Sequence, residues 1–279
     1  VREKNKFAHI PNTEDHPMTT ALQHHIDADD LLGAIAAATD AVRRGPTDKS
    51  ARYRLAELFC ANGELERADA QLAVLLNQAP ELQRRISVAR HLIRAETARQ
   101  DWYRDGRPPE LLREPSDAIR LHLEAGVKWR EGDKAGAASL YAQAESARVP
   151  KAGPDFDDFR DLDDATGGLL ELLTMDGRYL WVDLADVAGL DFVPSRHLLD
   201  LIWREVRLTM DDGTTGTLYM PVIYAGITPD TPSFRLGRAT DWQERDGLVL
   251  GKGQRCFLLG DQAKPIMDLT SLHFTASVG

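Results

Sequence analysis

KSARYRLAELFCANGELERADAQLAVLLNQAPEL, residues 49–82, is the stretch whose reading decides the fold. Its apolar and small residues, Leu55, Ala56, Phe59, Ala68, Leu72 and Leu75, recur at helical spacing on either side of Asn62-Gly63. The spacing predicts two antiparallel helices joined by a tight turn. Gly63 supplies the turn, and Pro80 ends the second helix because it has no backbone N–H to donate. Alanines at facing positions let the two helix backbones approach closely.

The unit is thirty-four residues long, and its small and large positions match a tetratricopeptide repeat. One period upstream, Ala34, Ala38, Ala41 and Pro46 keep the register of a preceding second helix, with Leu31, Leu32 and Ile35 adding apolar bulk. Downstream, a long helix is expected from about Glu81 to Tyr103, broken at Gly106-Arg107-Pro108-Pro109. Ala125, Gly132, Ala137, Tyr141 and Ala144 then approximate the repeat again, in degenerate form, because Glu124 and Lys128 stand where apolar residues belong. Two to three repeats lie near the minimum for a stable solenoid, so this half is expected to lean on the second half or on a partner.

Pro150-Lys151-Ala152-Gly153-Pro154 marks a change of composition, followed by six aspartates between Asp155 and Asp164. Beyond them a short apolar helix is expected around Leu169 to Leu173, and then β-type runs at 178–182, 208–210, 217–222, 247–250, 256–259 and 266–272. Asp176-Gly177, Asp211-Asp212-Gly213, Asp246-Gly247 and Gly260-Asp261 carry hairpin chemistry between the runs. The predicted class is α+β: all-α tetratricopeptide-like repeats, then a mainly antiparallel, β-rich and partly barrel-like domain. The expected divisions are a polar, aperiodic leader at 1–17 ahead of a natural start at Met18, a helical repeat domain at 18–150 and a β-rich domain at 151–279. The rival reading of the leader is a partner-derived peptide fused in front.

Acidic side chains outnumber basic ones by 44 to 34, a net charge of −10, which repels a phosphate backbone or an anionic membrane surface. Nucleic acid and membrane are therefore excluded as expected partners. No run reaches the roughly eighteen apolar residues a membrane helix needs. Cys60 and Cys256 stand too far apart for a disulfide framework or a zinc pattern, which fits a reducing cytoplasm.

Motifs of catalysis and cofactor binding are weak. Gly251-Lys252-Gly253 lacks the third glycine of a dinucleotide loop and the Gly-Lys-Ser/Thr ending of a nucleotide loop, so it reads as a turn between strands. From Asp161, a calcium loop would have Gly167 one place late and Glu171 one place early; a solvated acidic connection is the better reading. His24, His25, His91, His122, His197 and His273 show no metal-ligand spacing, and His197 beside Ser195 and Asp200 lacks a nucleophile elbow. No cofactor, metal or catalytic residue is expected.

The β half instead concentrates arginine and tryptophan: Trp203, Arg204, Arg207, Arg235, Arg238, Trp242, Arg245 and Arg255. Trp203, Arg204, Arg207, Arg238, Asp241, Trp242 and Arg255 form the candidate partner-binding set, since Arg and Trp offer large contact area with directed donors. The equal alternative has the tryptophans filling the core and the arginines bridging to Asp200, Glu205 and Asp241. A lesser one is an enzyme with Arg207, Arg238, Asp241 and Arg255 around an anionic substrate.

Asp176-Gly177-Arg178-Tyr179-Leu180-Trp181-Val182, which opens the domain, Leu198-Leu199-Asp200-Leu201-Ile202-Trp203-Arg204, Tyr219-Met220-Pro221 through Tyr224-Ala225-Gly226, Arg235-Leu236-Gly237-Arg238-Ala239-Thr240-Asp241-Trp242 and Gly251-Lys252-Gly253-Gln254-Arg255 resemble, in order, blocks of the ImpE/SciE/TagJ family. With the repeats in front, the resemblance covers nearly everything from Met18 onward. Ala225 stands where a proline is common, and Val206 where a small residue is usual. The resemblance implies a non-catalytic, cytoplasmic, virulence-associated accessory protein of a type VI secretion system. It further implies binding to the N-terminal helix of the small contractile-sheath subunit and, indirectly, a place near the sheath-recycling ATPase. A helix groove on the repeats and a strand edge on the β half fit such a partner equally well.

Overall fold

The computed structural model describes residues 24–275, so the expected leader at 1–17 lies outside the described residues. Its helices follow the predicted periodicity. Helices α1 (Leu31–Arg44), α2 (Lys49–Ala61) and α3 (Leu65–Gln78) form the repeat, each packed on the next. Asp30 and Asp48 cap α1 and α2 by accepting from Gly33 N and Ala51 N, both at 2.9 Å. Gly63 takes φ 79° between α2 and α3, and Ala34, Ala56, Ala68, Leu72 and Leu75 are almost wholly buried. These small side chains are what let the helix axes approach.

The long helix α4 (Gln83–Asp105) ends at Gly106, which sits at φ 82°. After the two-residue strand β1 (Glu110–Leu111), helices α5 (Asp117–Glu131) and α6 (Lys134–Ala147) form an antiparallel pair around Gly132, itself at φ 88°. Packing density divides the chain into two compact units between Ala89 and Arg90, within α4. The composition change near Pro150 thus marks the switch from helix to strand, while α5, α6 and the sheet share one compact unit. They do so because Ala125, Ala137 and Tyr141 bury themselves with Ile227, Leu248 and Leu250 from the β-rich segment.

The remaining strands are β2 (Phe159–Asp161), β3 (Leu169–Leu173), β4 (Tyr179–Asp183), β5 (Val187–Phe192), β6 (Trp203–Met210), β7 (Thr215–Pro221), β8 (Thr240–Arg245), β9 (Leu248–Gly253), β10 (Cys256–Leu259), β11 (Gln262–Pro265) and β12 (Ser271–His273). A four-residue helix α7 (Pro232–Arg235) precedes β8. Seven strands form one sheet in the order β1-β4-β3-β7-β6-β5-β12, with only the β1/β4 pair parallel. Its outer strands do not meet, so the sheet stays open where partial barrel closure was expected. A three-stranded sheet β11-β10-β2 packs against it; within that small sheet Phe159 of β2 stacks on Phe257 of β10 with ring centroids 4.9 Å apart, and both rings join the core.

One expectation is reversed: residues 169–173 form a central strand, where a helix was predicted. All five are buried, because core side chains cover one face of β3 and α4 the other, and a short apolar run of that kind has no period to betray it. The run at 266–272 is also interrupted, by a 3-10 turn Ile266–Asp268 ahead of β12. Asp246 (φ 52°) and Gly247 (φ 84°) make the two-residue β8/β9 hairpin turn that their chemistry predicts.

Candidate functional site

The most densely connected group of polar side chains is sealed inside the second unit. Glu171 lies in the middle of β3, and its Oε1 accepts from Tyr179 OH at 2.5 Å and Tyr103 OH at 3.0 Å. Its Oε2 accepts from Arg99 Nη1 at 3.1 Å and from Arg255 Nη2. Arg255 Nη1 reaches Asp161 Oδ2 at 2.5 Å, and Asp161 Oδ1 accepts from Tyr224 OH at 2.7 Å. Arg99 donates to both oxygens of Glu96, at 3.0 and 3.2 Å, and to the Ile223 carbonyl at 2.8 Å. Trp203 Nε1 donates to Glu96 Oε2 at 3.3 Å. The group joins α4, β2, β3, β4, β6 and the start of β10 into one hydrogen-bonded lattice.

Its electrostatics follow from burial and pairing. Burial disfavours charge on Glu171, but Arg99 and Arg255 together hold its carboxyl below the usual range. Asp161 has one arginine, so burial wins and its carboxyl is raised. Asp163, next along and wholly buried beside Asp161, is pushed up to about 7. Asp163 accepts from Ala165 N at 2.8 Å and Gly251 N at 2.8 Å, and Asp164 accepts from Val249 N at 2.7 Å. The acidic run thus latches the outer side of β9 and anchors Arg255, where sequence suggested a solvated connection.

Three of the seven residues read as partner contacts are internal. Trp203 and Arg255 belong to the lattice, and Arg204 is buried on Phe192, donating to the carbonyls of Ile266 and Leu269. For these three, the alternative of core filling and structural bridging is the one the geometry supports. Arg207, Arg238, Asp241 and Trp242 are exposed. Arg207 lies on β6 opposite Asp191 and Thr217. Arg238 precedes β8, and Asp241 and Trp242 lie on it, the indole set edgewise 5.9 Å from Tyr224. The four residues of the enzyme alternative are not gathered: Arg255 is committed to Asp161 and Glu171, and Asp241 faces Lys252 at 3.6 Å.

The weaker motifs also find places. Gly251-Lys252-Gly253 closes β9 rather than forming a separate turn, with buried Lys252 3.2 Å from Asp230 and its ammonium over the Phe234 ring. Asp200 Oδ2 accepts from Arg196 N and His197 N at 2.7 and 2.9 Å, capping a 3-10 turn. Among the described residues no group of three or more His, Cys, Asp or Glu is placed to hold a metal ion. No helix among them is long and apolar enough to cross a membrane.

Glu96, Arg99 and Tyr103 were not singled out by sequence; Tyr179 and Tyr224 entered only within the family blocks, and Glu171 only as a calcium-loop position that the spacing rejects. Two signals were available: a lone acid inside Leu169-Leu170-Glu171-Leu172-Leu173, and Glu96 with Arg99 on the same helix side as Ala95 and Trp102.

Residues 153–273 match the family described as ImpE protein, and residues 25–88 match a tetratricopeptide repeat. The crystal structure of protein VPA1032 from Vibrio parahaemolyticus superposes with a TM-score of 0.86 at 30% identity, covering 92% of this chain and 98% of that one. The chain belongs to the ImpE family. A curated relative, the type VI secretion system accessory component TagJ of Pseudomonas aeruginosa, is 28% identical over 249 residues, 88% of this chain and 87% of its own length. The ImpE match contains Asp161, Glu171 and Arg255, so most of the buried lattice falls within the family's own region, while Glu96 and Arg99 lie ahead of it.

Proposed function

We propose that this ImpE-family protein is a non-catalytic accessory component of a type VI secretion system, working in the cytoplasm as an adaptor for contractile-sheath subunits. The observation that carries the reading is the similarity to TagJ over 88% of this chain, a span too long to leave out either the repeat helices or the sheet. The docking element in this proposal is the N-terminal helix of the small sheath subunit, with the sheath-recycling ATPase approached indirectly. Stacked helix pairs favour such a partner, since they offer a groove into which an amphipathic helix lays its apolar face. Arg207, Arg238, Asp241 and Trp242 are the contact residues proposed on the second unit, being the exposed members of the Arg/Trp set. The burial of Arg255 weighs against an enzyme built on the Arg/Asp set, because its guanidinium is occupied by two carboxylates inside the fold.

Affinity capture with the purified small sheath subunit, intact and without its first helix, tests the proposal. Binding that disappears with the helix is the expected result. Binding that survives the deletion, or no binding by either form, overturns the sheath assignment.

A further inference from the structure

The hairpin β8/β9 has one finished edge and one unfinished edge. On β9, Val249, Gly251 and Gly253 turn their main chains away from β8, and each meets a partner. Val249 N and Gly251 N donate to Asp164 and Asp163, Val249 O accepts from Asp164 N at 3.0 Å, and Gly253 O accepts from Tyr224 N at 3.0 Å. It follows from the register that Asp241, Gln243 and Arg245 bond inward to Lys252, Leu250 and Leu248, and that Thr240, Trp242 and Glu244 turn their N–H and C=O groups outward. β8 pairs only with β9 among the described residues. Among the described residues, the one bond recorded on that outer main-chain edge is Trp242 N donating to the neighbouring Asp241 carboxylate at 2.9 Å.

An open edge of six residues is a template for another strand, and natural proteins guard such edges with charge. Here the charges are also self-complementary. In an antiparallel pairing of two copies of β8, the outward-turned residues must meet one another. If Trp242 of one copy bonds Glu244 of the other, the two-fold axis passes through Gln243. Asp241 then stands opposite Arg245 twice, once on each side of the axis. Shifting the register by two residues in one direction sets Glu244 against Glu244, and in the other it parts Asp241 from Arg245. Arg245 and Glu244 have no ion-pair partner among the described residues, and both are exposed. Trp242 and Val249, among the few exposed large apolar side chains, lie on the hairpin face that the same pairing would extend.

We infer that β8 is a self-association edge, on which a second copy of this chain adds antiparallel through Thr240–Arg245 with Asp241 and Arg245 paired across the axis. One strand pair buries less than a standard interface, so the dimer is weak and concentration-dependent. In forming it, Asp241 exchanges the Trp242 amide for the arginine of the other copy. The inference goes beyond the adaptor reading and shares only Asp241 and Trp242 with it.

Sedimentation equilibrium of the full chain over a concentration series, with Asp241→Arg, Arg245→Asp and the double exchange, tests it. The expected result is a reversible dimer whose dissociation constant rises about tenfold in each single variant and returns to near the parent value in the double exchange. Glu244→Pro, which removes an outward N–H and leaves every bond to β9, is expected to abolish the dimer while the melting temperature stays within a few degrees. A monomer at every concentration, or a dimer indifferent to the exchange, overturns the inference. Capture of the sheath subunit is measured on the same variants, so loss of one activity with retention of the other separates the two readings.

Discussion

The first compact unit and the second solve the same problem of burial with different materials. In α1 to α3 the interior is mainly alanine and leucine, with Ile35, Tyr53, Phe59 and Cys60 and a single buried carboxylate, Glu57, paired to half-exposed Arg54. The other ion pairs, such as Lys49 with Glu81 and Arg43 with Asp40, lie at the surface. In the second unit an apolar core fills one face of the large sheet, while the other face holds two arginines, three carboxylates and two tyrosines away from water, with Tyr103 half-buried beside them. Apolar packing tolerates small changes by local collapse. A charge lattice does not, because removing one member strands the others. The contrast locates the fragility of the molecule in its polar interior.

Replacing Arg255 with Met is the severest way to probe that contrast. It leaves Asp161 and Glu171 short of a cation and is expected to cost about 3–5 kcal/mol. Urea unfolding should show the loss, and hydrogen exchange should confine it to residues 90–275; an undiminished midpoint would mean the lattice adds nothing. Leu72→Ala, in the repeat, is expected to cost about 2–4 kcal/mol through an unfilled cavity. Amide exchange in α2 and α3 should accelerate first, and an effect spread evenly over both units would erase the distinction.

Proton linkage sharpens the comparison further. Asp163 is held near 7 in the fold against 3.8 unfolded, so its contribution is full at low pH and is lost as pH rises from about 4 to 7. His122, buried with Nδ1 unpartnered, is pushed down to about 4 from 6.5, so its contribution is full above 6.5 and is lost as pH falls toward 4. Relative to the parent, Asp163→Asn should gain stability as pH rises across that window and His122→Gln should gain as it falls, each with a slope on the order of 1 kcal/mol per pH unit at most. Parallel pH curves for parent and variants would contradict both assignments. The smallest effect is expected at the surface: Trp242→Ala should change stability by about 1 kcal/mol or less while weakening capture of the sheath subunit. Unchanged capture would remove the indole from the proposed contact set.

How legible each region was follows from the range of its contacts. The helix pair at 49–82 could be read because its partners are three, four and about twenty residues apart, and Asn62-Gly63 and Pro80 state where it turns and stops. Strands β4, β7, β9 and β10 could be read as short β-type runs beside turn chemistry, and for β4, buried on both faces, Asp176-Gly177 was the signal. β3 could not, because a strand buried on both faces has no period of two and Leu169–Leu173 was read with no hairpin signal ahead of it. The candidate contacts divided for a similar reason. Trp203 and Trp242 carry the same chemistry in sequence, and only pairing with distant Glu96 puts the first inside while the second lies on an open hairpin. Arg255 drew notice for its residue type, yet its partners Asp161 and Glu171 stand 94 and 84 positions earlier, and nothing local announces them.

That separation has a bearing on how the chain is made. A ribosome releases residues in order, and Asp161 and Glu171 emerge long before Arg255, which is the cation on the first and the second of two cations on the other. Until β10 is synthesised, these acids have reason to remain in water, which delays closure of the sheet on α4. A nascent chain that stops short of residue 255 is therefore expected to keep an open second unit, which limited proteolysis of a chain truncated at 254 would reveal.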